Sequence, residues 1–163
     1  MTKNKQFDAP ICAPTICVKS DWIDLNGHMN MAFYLLVFDQ AIDHVWQEIG
    51  LGARYLEETN ASTFTLQSQI QYAQEVMVDD PLRIEFQLLG YDQKRIHCFQ
   101  RMFHAERDYL AATEERMTVH VNMAKRKSAP LPKFIEGTLE QILEKHKALA
   151  KDDRVGRPFT LRK

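Results

Sequence analysis

The sequence is organised around residues 20–30, SDWIDLNGHMN, which lead directly into a long amphipathic run. Two aspartates, two asparagines, a glycine and a histidine precede the first residues of that run. Turn residues that end at a helix start can direct a carboxylate and the free N–H groups of the first turn towards one point. We therefore take this stretch as the candidate functional segment and the rest of the chain as its frame.

The run that follows has the period of an α-helix. Apolar residues recur three and four positions apart from Met31 to Ile49, which predicts one long helix with a wide buried stripe. Asn30 is the predicted N-cap, because its side chain can accept hydrogen bonds from the first turn. Gly50 and Gly52 are typical of a helix end. We expect this helix to be the central buried one.

Four later segments alternate apolar and polar residues with a period of two. They predict strands near residues 64–72, 82–88, 94–106 and 109–124, after a shorter strand at 16–18. Strands joined by short turns are expected to be antiparallel neighbours. A C-terminal helix is predicted over about 132–149, and residues 151–163 are expected to be loose. The order predicts an α+β fold in which an antiparallel sheet wraps one helix.

Composition predicts one globular domain over residues 1–163. The 163 residues are 45% hydrophobic and 26% charged, enough for a core without a metal or a disulfide. A net charge of -1 argues against nucleic acid or a membrane surface as a partner. No signal peptide and no apolar segment of about 20 residues is visible, so a cytoplasmic location is expected.

The cysteines and histidines predict no metal site. The three cysteines follow no metal-binding or redox spacing, and we interpret them as thiols of a reducing compartment. His97 and His104 are an odd number of residues apart, so on one strand they face opposite sides of the sheet.

The element order and residues 24–30 together resemble the hotdog-fold acyl-CoA thioesterases of the 4-hydroxybenzoyl-CoA thioesterase-like family. The usual signature is an Asp, two intervening residues, Gly-His, an Asn one position later, and a Tyr in the first helical turn. The matching residues in this chain are Asp24, Gly27, His28, Asn30 and Tyr34. The resemblance covers about residues 11–130, and it implies a curved antiparallel sheet wrapped around one long central helix.

Three positions depart from the family pattern. Trp22 stands where another acid is more frequent, and Met31 where a second Asn is common. The helix has Asp39-Gln40 where a Glu is frequent. These departures concern the substrate more than the fold.

The resemblance implies hydrolysis of an acyl-CoA thioester, with the catalytic carboxylate at Asp24. That carboxylate would act as a general base on water or as a nucleophile, and the sequence does not separate the two roles. Taken alone, Asp24 is also a common turn residue before a glycine. Backbone N–H groups around Met31 to Tyr34 are expected to meet the carbonyl oxygen, because a helix start offers unpaired donors and a partial positive charge.

The other residues of the signature have two interpretations each. His28 either supports catalysis or holds the loop, and Asn30 either caps the helix or touches the thioester. Gly27 supplies a backbone angle or a close approach that a Cβ would block. Asp24, His28 and Asn30 form the predicted catalytic set, and Gly27, Met31 and Tyr34 are assigned to substrate binding.

The phosphates of CoA call for local positive charge. The first candidate is the basic segment 125–127, made of Lys125, Arg126 and Lys127, and Lys94-Arg95 is the second. Both segments are alternatively solvated strand ends that discourage edge pairing. CoA is part of the substrate, and no separate cofactor is expected.

The acyl pocket is expected to draw on the helix and on strand residues such as Phe64 and Gln67. Some relatives act on betainyl-CoA, a quaternary ammonium thioester, and Trp22 and Trp46 are candidates for a cation–π contact with such a group. Both tryptophans are alternatively core residues.

Two alternative functions remain open at this point. A hotdog-fold acyl-CoA dehydratase or hydratase would pair an acid with a histidine, and His28 fits that pattern. A non-catalytic acyl-CoA-binding protein would need only the pocket. Hotdog proteins commonly pair edge to edge, so a homodimer or homotetramer with the site at the interface is expected.

Overall fold

A computed structural model describes residues 6–161, which form a seven-stranded sheet, three α-helices and a short 3-10 helix at Ser20–Trp22. Every strand pair in the sheet is antiparallel. The strands are β1 Ile11–Cys12, β2 Ile16–Cys17, β3 Ala61–Tyr72, β4 Pro81–Tyr91, β5 Arg95–His104, β6 Leu110–Asn122 and β7 Lys127–Ser128. The helices are α1 Met31–Ile49, α2 Ala53–Thr59 and α3 Lys133–His146. Within the described part of the chain, no helix has the length and apolar character needed to cross a bilayer.

Helix α1 has the predicted bounds because both of its ends are fixed by local residues. The Asn30 side chain accepts a hydrogen bond from the Ala32 N–H at 3.0 Å, which confirms the predicted cap. At the other end Gly50 adopts a left-handed conformation with a φ of 94°. The apolar stripe of α1 is buried against the inner face of the sheet, as its helical period predicts.

The strand order is β1-β4-β5-β6-β3, so the prediction that β3 and β4 are neighbours was wrong. β3 pairs with β6, and the connection at residues 73–80 runs from one side of the sheet to the other. This connection is held by backbone hydrogen bonds, from the Met29 N–H to the Val76 carbonyl at 2.9 Å and from the Asp79 N–H to the Val18 carbonyl at 2.9 Å. In the described chain, the outer edge of β3 has no strand partner.

The inner face of the sheet is apolar at both ends of α1 but charged beneath its middle. Glu114 is fully buried and accepts hydrogen bonds from Ser68, Gln100 and Arg116 at 2.6, 2.7 and 2.9 Å. Arg116 also donates to Asp39 of α1 at 2.7 Å. A buried ion pair of this kind is well satisfied, and removing one partner typically costs about 3–5 kcal/mol because the other charge is left uncompensated.

Residues 154–157 are hydrogen-bonded to the sheet, so the expectation that residues 151–163 are loose was wrong for this part, and residues 162–163 lie outside the described residues. Residues 151–161, called the strap below, lie on the outer face of the sheet along β3. The Gln71 and Gln69 side chains donate hydrogen bonds to the carbonyls of Arg154 and Arg157 at 3.0 and 2.8 Å. The Gly156 N–H donates to the Glu115 carboxylate at 2.5 Å. The strap therefore runs antiparallel to β3, because its contacts move from Gln71 back to Gln69.

His146, the last residue of α3, is expected to make the free energy of unfolding depend on pH. The Leu88 N–H donates to His146 Nδ1 at 2.8 Å, and burial lowers the pKa of the imidazole below 6.5. The folded state therefore binds fewer protons than the unfolded state once the pH falls through about 6.5, and the free energy of unfolding decreases there. We expect urea midpoints to fall more between pH 7.5 and 5.5 for the native chain than for His146→Gln. His44→Gln is the control, and parallel losses in the native chain and His146→Gln would contradict this role.

Candidate active site

Residues 23–29 form a tight loop whose two ends are paired. An isolated antiparallel bridge joins Ile23 to Met29, and the Asp24 N–H donates to the His28 carbonyl at 3.1 Å. Gly27 turns the chain with a φ of 82°, and a Cβ there would have no neighbouring atom within 4 Å. Gly27 therefore supplies the predicted backbone angle, and no atom of the described protein approaches closely enough to require the missing Cβ.

The Asp24 carboxylate lies half-buried between this turn and the start of α1. Its Oδ1 accepts the Asn26 N–H at 2.8 Å, which is the turn role that the sequence alone suggested. Its Oδ2 accepts from Asn30 Nδ2 at 3.3 Å. Asn30 thus caps α1 with its oxygen and holds Asp24 with its nitrogen, so one side chain fixes the carboxylate relative to the helix N-terminus.

The first turn of α1 has one donor left for a ligand. The Ala32 and Phe33 N–H groups are taken by the side chain and the carbonyl of Asn30, each at 3.0 Å. Among residues 6–161, the Met31 N–H has no hydrogen-bond acceptor. The predicted donor group around Met31 to Tyr34 is therefore narrowed to Met31, where the helix dipole also favours negative charge.

A cavity of about 210 Å³ opens beside this helix start. His28, Met31 and Tyr34, all predicted site residues, line it together with Tyr72 and Glu75. The Tyr34 and Tyr72 rings meet edge to face at 5.1 Å, and the Tyr72 hydroxyl donates to the Met31 carbonyl at 3.2 Å. Burial raises the pKa of both tyrosines, so both rings are neutral at physiological pH.

His28 lies at the rim of this cavity and is partly held by the loop. Its Nδ1 is 3.2 Å from the Met29 carbonyl, which favours the tautomer with a proton on Nδ1. Nε2 of that tautomer is an acceptor. The geometry is compatible with both predicted roles of His28, loop support and catalytic support.

The other predicted binding residues lie at the far end of β3. Phe64 precedes Tyr72 by eight residues, a distance of about 27 Å along a strand. The Arg126 guanidinium lies over the Phe64 ring at 5.6 Å, so these two predicted residues are brought together. Within one chain neither of them reaches Asp24.

The two predicted basic segments, distant in sequence, lie side by side. The His120 N–H of β6 donates to the Lys94 carbonyl, and the Ala129 N–H after β7 donates to the His120 carbonyl. A groove of about 500 Å³, called the basic groove below, is lined by Leu66, Asp92, Gln93, Lys94, Arg95, Val119 and Ser128, and the segment 125–127 directly precedes Ser128. Arg95 binds Asp92 through two nitrogens and holds the pKa of that carboxyl at about 2. Lys94 therefore supplies the positive charge in the groove that this local pair does not neutralise, and the segment 125–127 places further positive charge next to Ser128 at its edge.

The two tryptophans are core residues. Trp22 is 4% exposed and stacks on Phe33 with ring centroids 5.5 Å apart. Trp46 is 5% exposed and packs edge to face against Phe86. The alternative in which they meet a cationic acyl group therefore receives no support, whereas Tyr72, which is 48% exposed, offers an accessible aromatic ring near the helix start.

Sequence reasoning missed Tyr72 and the connection at residues 73–80. The alternating pattern identifies Tyr72 only as an apolar strand residue, and its contact with α1 depends on β3 lying beside the helix start. Val76 holds the loop through Met29 but carries no distinctive chemistry. No pattern within the chain points to either contact, because both are tertiary.

The chain belongs to the Thioesterase-like superfamily, whose family pattern matches residues 18–141. It is a thioester hydrolase, as residues 24–30 and the fold around them predicted. The betainyl-CoA thioesterase of Pseudomonas aeruginosa is 34% identical over 144 residues, 88% of this chain and 91% of that protein.

Solved structures match the fold closely. A putative thioesterase from Pseudomonas putida KT2440 superimposes with a TM-score of 0.82 at 30% identity, covering 94% of this chain and 98% of the other. A Staphylococcus aureus protein solved in complex with CoA has a TM-score of 0.89 at 24% identity, covering 98% and 100%. These likenesses confirm the hotdog fold. The superfamily and the named relative favour thioester hydrolysis over the two alternative functions.

Proposed function

We propose that this thioesterase hydrolyses betainyl-CoA or a similar short acyl-CoA with a quaternary ammonium group, using Asp24 as its general base. The observation that supports this most directly is the pairing of Asp24 with Asn30 at the start of α1. The choice of acyl group is supported by the 34% identical relative and by the aromatic cavity next to that helix start.

The reaction follows from the groups around Asp24. Asp24 takes a proton from a water molecule as the water oxygen attacks the thioester carbonyl carbon. The carbonyl oxygen becomes an oxyanion and accepts a hydrogen bond from the Met31 N–H. The tetrahedral intermediate then expels the CoA thiolate, which takes up the proton held by Asp24, and the carboxylic acid product releases its remaining proton to solvent as it leaves as a carboxylate. Asn30 keeps the carboxylate in position throughout.

The cavity lined by Tyr34 and Tyr72 suits a small cationic head group. A quaternary ammonium has no N–H to donate, so aromatic faces and nearby carboxylates are its main partners. The Tyr72 side chain is 48% exposed, and Glu75 lies on the same wall. The acyl chain of betainyl-CoA is short, so its ammonium stays within this cavity when the carbonyl lies at Met31.

CoA recognition in this proposal uses two subunits. The free edge of β3 is a template for pairing with a second copy. Full overlap of two such strands around a two-fold axis sets Tyr72 of one subunit opposite Ala61 of the partner subunit. In this arrangement the basic groove of the partner subunit lies near Asp24 of the first subunit. The basic groove of the first subunit itself is too far from that Asp24. A homodimer, alone or within a tetramer, is therefore the proposed active form.

Replacing Tyr72 tests the acyl specificity. Tyr72→Ala is expected to lower kcat/KM for betainyl-CoA about 5- to 30-fold, because a partly desolvated cation–π contact contributes about 1–2 kcal/mol. The neutral isostere 3,3-dimethylbutyryl-CoA should lose much less. Tyr72→Phe is the matched control, since it keeps the ring and removes only the hydroxyl bond to Met31. Steady-state kinetics with both substrates give the answer, and equal losses on both would contradict recognition of the charge.

A further inference from the structure

The strap lies outside the region shared with the superfamily, which ends at residue 141. Beneath its end is a cavity of about 680 Å³. Gln67, His97 and Met117 of the sheet line one side, and Arg157 and Phe159 of the strap line the other. Neither the turn at Asp24 nor the cavity at Tyr72 uses this space.

This cavity continues the basic groove. Each of the three strands contributes a residue to both: β3 has Leu66 in the groove and Gln67 in the cavity. Likewise, β5 contributes Arg95 to the groove and His97 to the cavity, and β6 contributes Val119 to the groove and Met117 to the cavity. In each strand the two residues are one or two positions apart. A ligand that lies in the groove and extends along β3 therefore arrives beneath the end of the strap.

The chemistry of the strap end suits an aromatic anion. The Phe159 side chain is 97% exposed, although the strap before it is hydrogen-bonded to the sheet. The Arg157 guanidinium has no ion-pair partner among residues 6–161, whereas its carbonyl is held by Gln69. The carboxylate in this cavity, Glu115, is occupied by His97 at 2.8 Å and by the Gly156 N–H. The positive charge of Arg157 is thus available to a ligand.

We propose that Arg157 and Phe159 bind the 3′-phosphoadenosine end of CoA. This rests on the proposed function, because CoA must lie in the basic groove. Along β3 the order is then the thioester near Ala61, the diphosphate near Lys94 and Arg126, and the adenosine from Gln67 onwards. Six residues of strand cover about 20 Å, which the extended pantetheine and diphosphate can span. Phe159 stacks on the adenine, and Arg157 pairs with the 3′-phosphate.

The test compares betainyl-CoA with betainyl-3′-dephospho-CoA. Arg157→Ala is expected to raise KM for the CoA thioester about tenfold, the scale of one charge-assisted contact, and to leave KM for the dephospho thioester nearly unchanged. Phe159→Ala should raise KM for both thioesters about fivefold or more and should not affect a pantetheine thioester, which lacks the adenine. Neither substitution should change kcat, because both residues are far from Asp24.

Arg154→Ala is the matched control within the strap, because Asp152 and Asp153 already hold that guanidinium at 3.1 and 3.6 Å. Arg157→Lys should restore part of the discrimination between the two thioesters. If Arg157→Ala changed KM equally for both thioesters, or changed neither KM, the inference would be overturned. The proposed function would still stand in that case, as long as the native chain hydrolysed the CoA thioester. If the native chain hydrolysed no acyl-CoA, the proposed function would fail instead. Calorimetry with CoA and dephospho-CoA would then test Arg157 directly, and equal affinities would overturn the inference.

Discussion

Replacing Asp24 by asparagine is expected to lower kcat by about 10²- to 10⁴-fold, the usual scale for losing a general base. The asparagine oxygen can still accept the Asn26 N–H at the position of Oδ1, so the turn is retained. The second carboxylate oxygen, held by Asn30 at 3.3 Å, is lost together with the negative charge. The measurement is release of free CoA thiol under saturating substrate, with the thermal midpoint recorded for each variant.

Asp21→Asn is the matched control for this experiment. Asp21 is an exposed carboxylate three residues earlier in the same segment, and its loss should leave kcat within about twofold of the native value, as for most surface substitutions. An unchanged kcat in Asp24→Asn would show that Asp24 takes no part in the chemistry.

A single turnover in ¹⁸O-labelled water separates the two possible roles of Asp24, general base and nucleophile. A general base sends the label directly to the released acid, whereas a nucleophile takes the label into its own carboxylate.

The second large effect is a recovery of activity when two inactive variants are mixed. One variant is Asp24→Ala, and the other replaces Lys125, Arg126 and Lys127 by alanine. If the site combines Asp24 of one subunit with the basic groove of its partner, each heterodimer has one intact site. Random reassociation makes about half of the dimers mixed, so about a quarter of the native activity should return. Thiol release at low substrate concentration measures it after co-refolding.

Mixing Asp24→Ala with Tyr72→Ala is the control for this recovery. Both substitutions fall on the same side of the proposed interface, so no heterodimer contains a fully intact site. Light scattering should first show dimers or larger assemblies at micromolar concentration. A monomer would contradict the shared site, and so would verified heterodimers that recover nothing.

The parts of the structure that the sequence predicted well depend on local interactions. Asn30 caps α1 through contacts two residues away, and Gly50 ends it with a left-handed conformation that other residues rarely adopt. The turn at Asp24 and Gly27 has the same local origin. For this reason the bounds of α1 and the position of the carboxylate beside its first turn follow from the sequence alone.

The parts that could not be predicted depend on contacts between distant residues. β3 pairs with β6 and not with β4, because the connection at 73–80 is held by the loop of the candidate site. The strap is fixed by side chains of β3 that bond to its backbone carbonyls, and such bonds require no particular residue in the strap itself. Its charged sequence therefore predicted a loose end. Likewise, the sequence around Trp46 does not show whether its ring packs in the core or contacts a ligand, because that depends on its neighbours in the fold.

The strap has a practical consequence for handling the protein. An affinity tag or fluorescent fusion that continues from the strap would start on the side of the sheet where the basic groove and the Phe159 cavity meet. The first described residues lie beside α3, since the Phe7 carbonyl accepts a hydrogen bond from the Lys145 side chain of that helix. Purification handles and surface immobilisation are therefore better kept away from the strap, and a kinetic assay on a fusion joined there would report on the linker as well as on the enzyme.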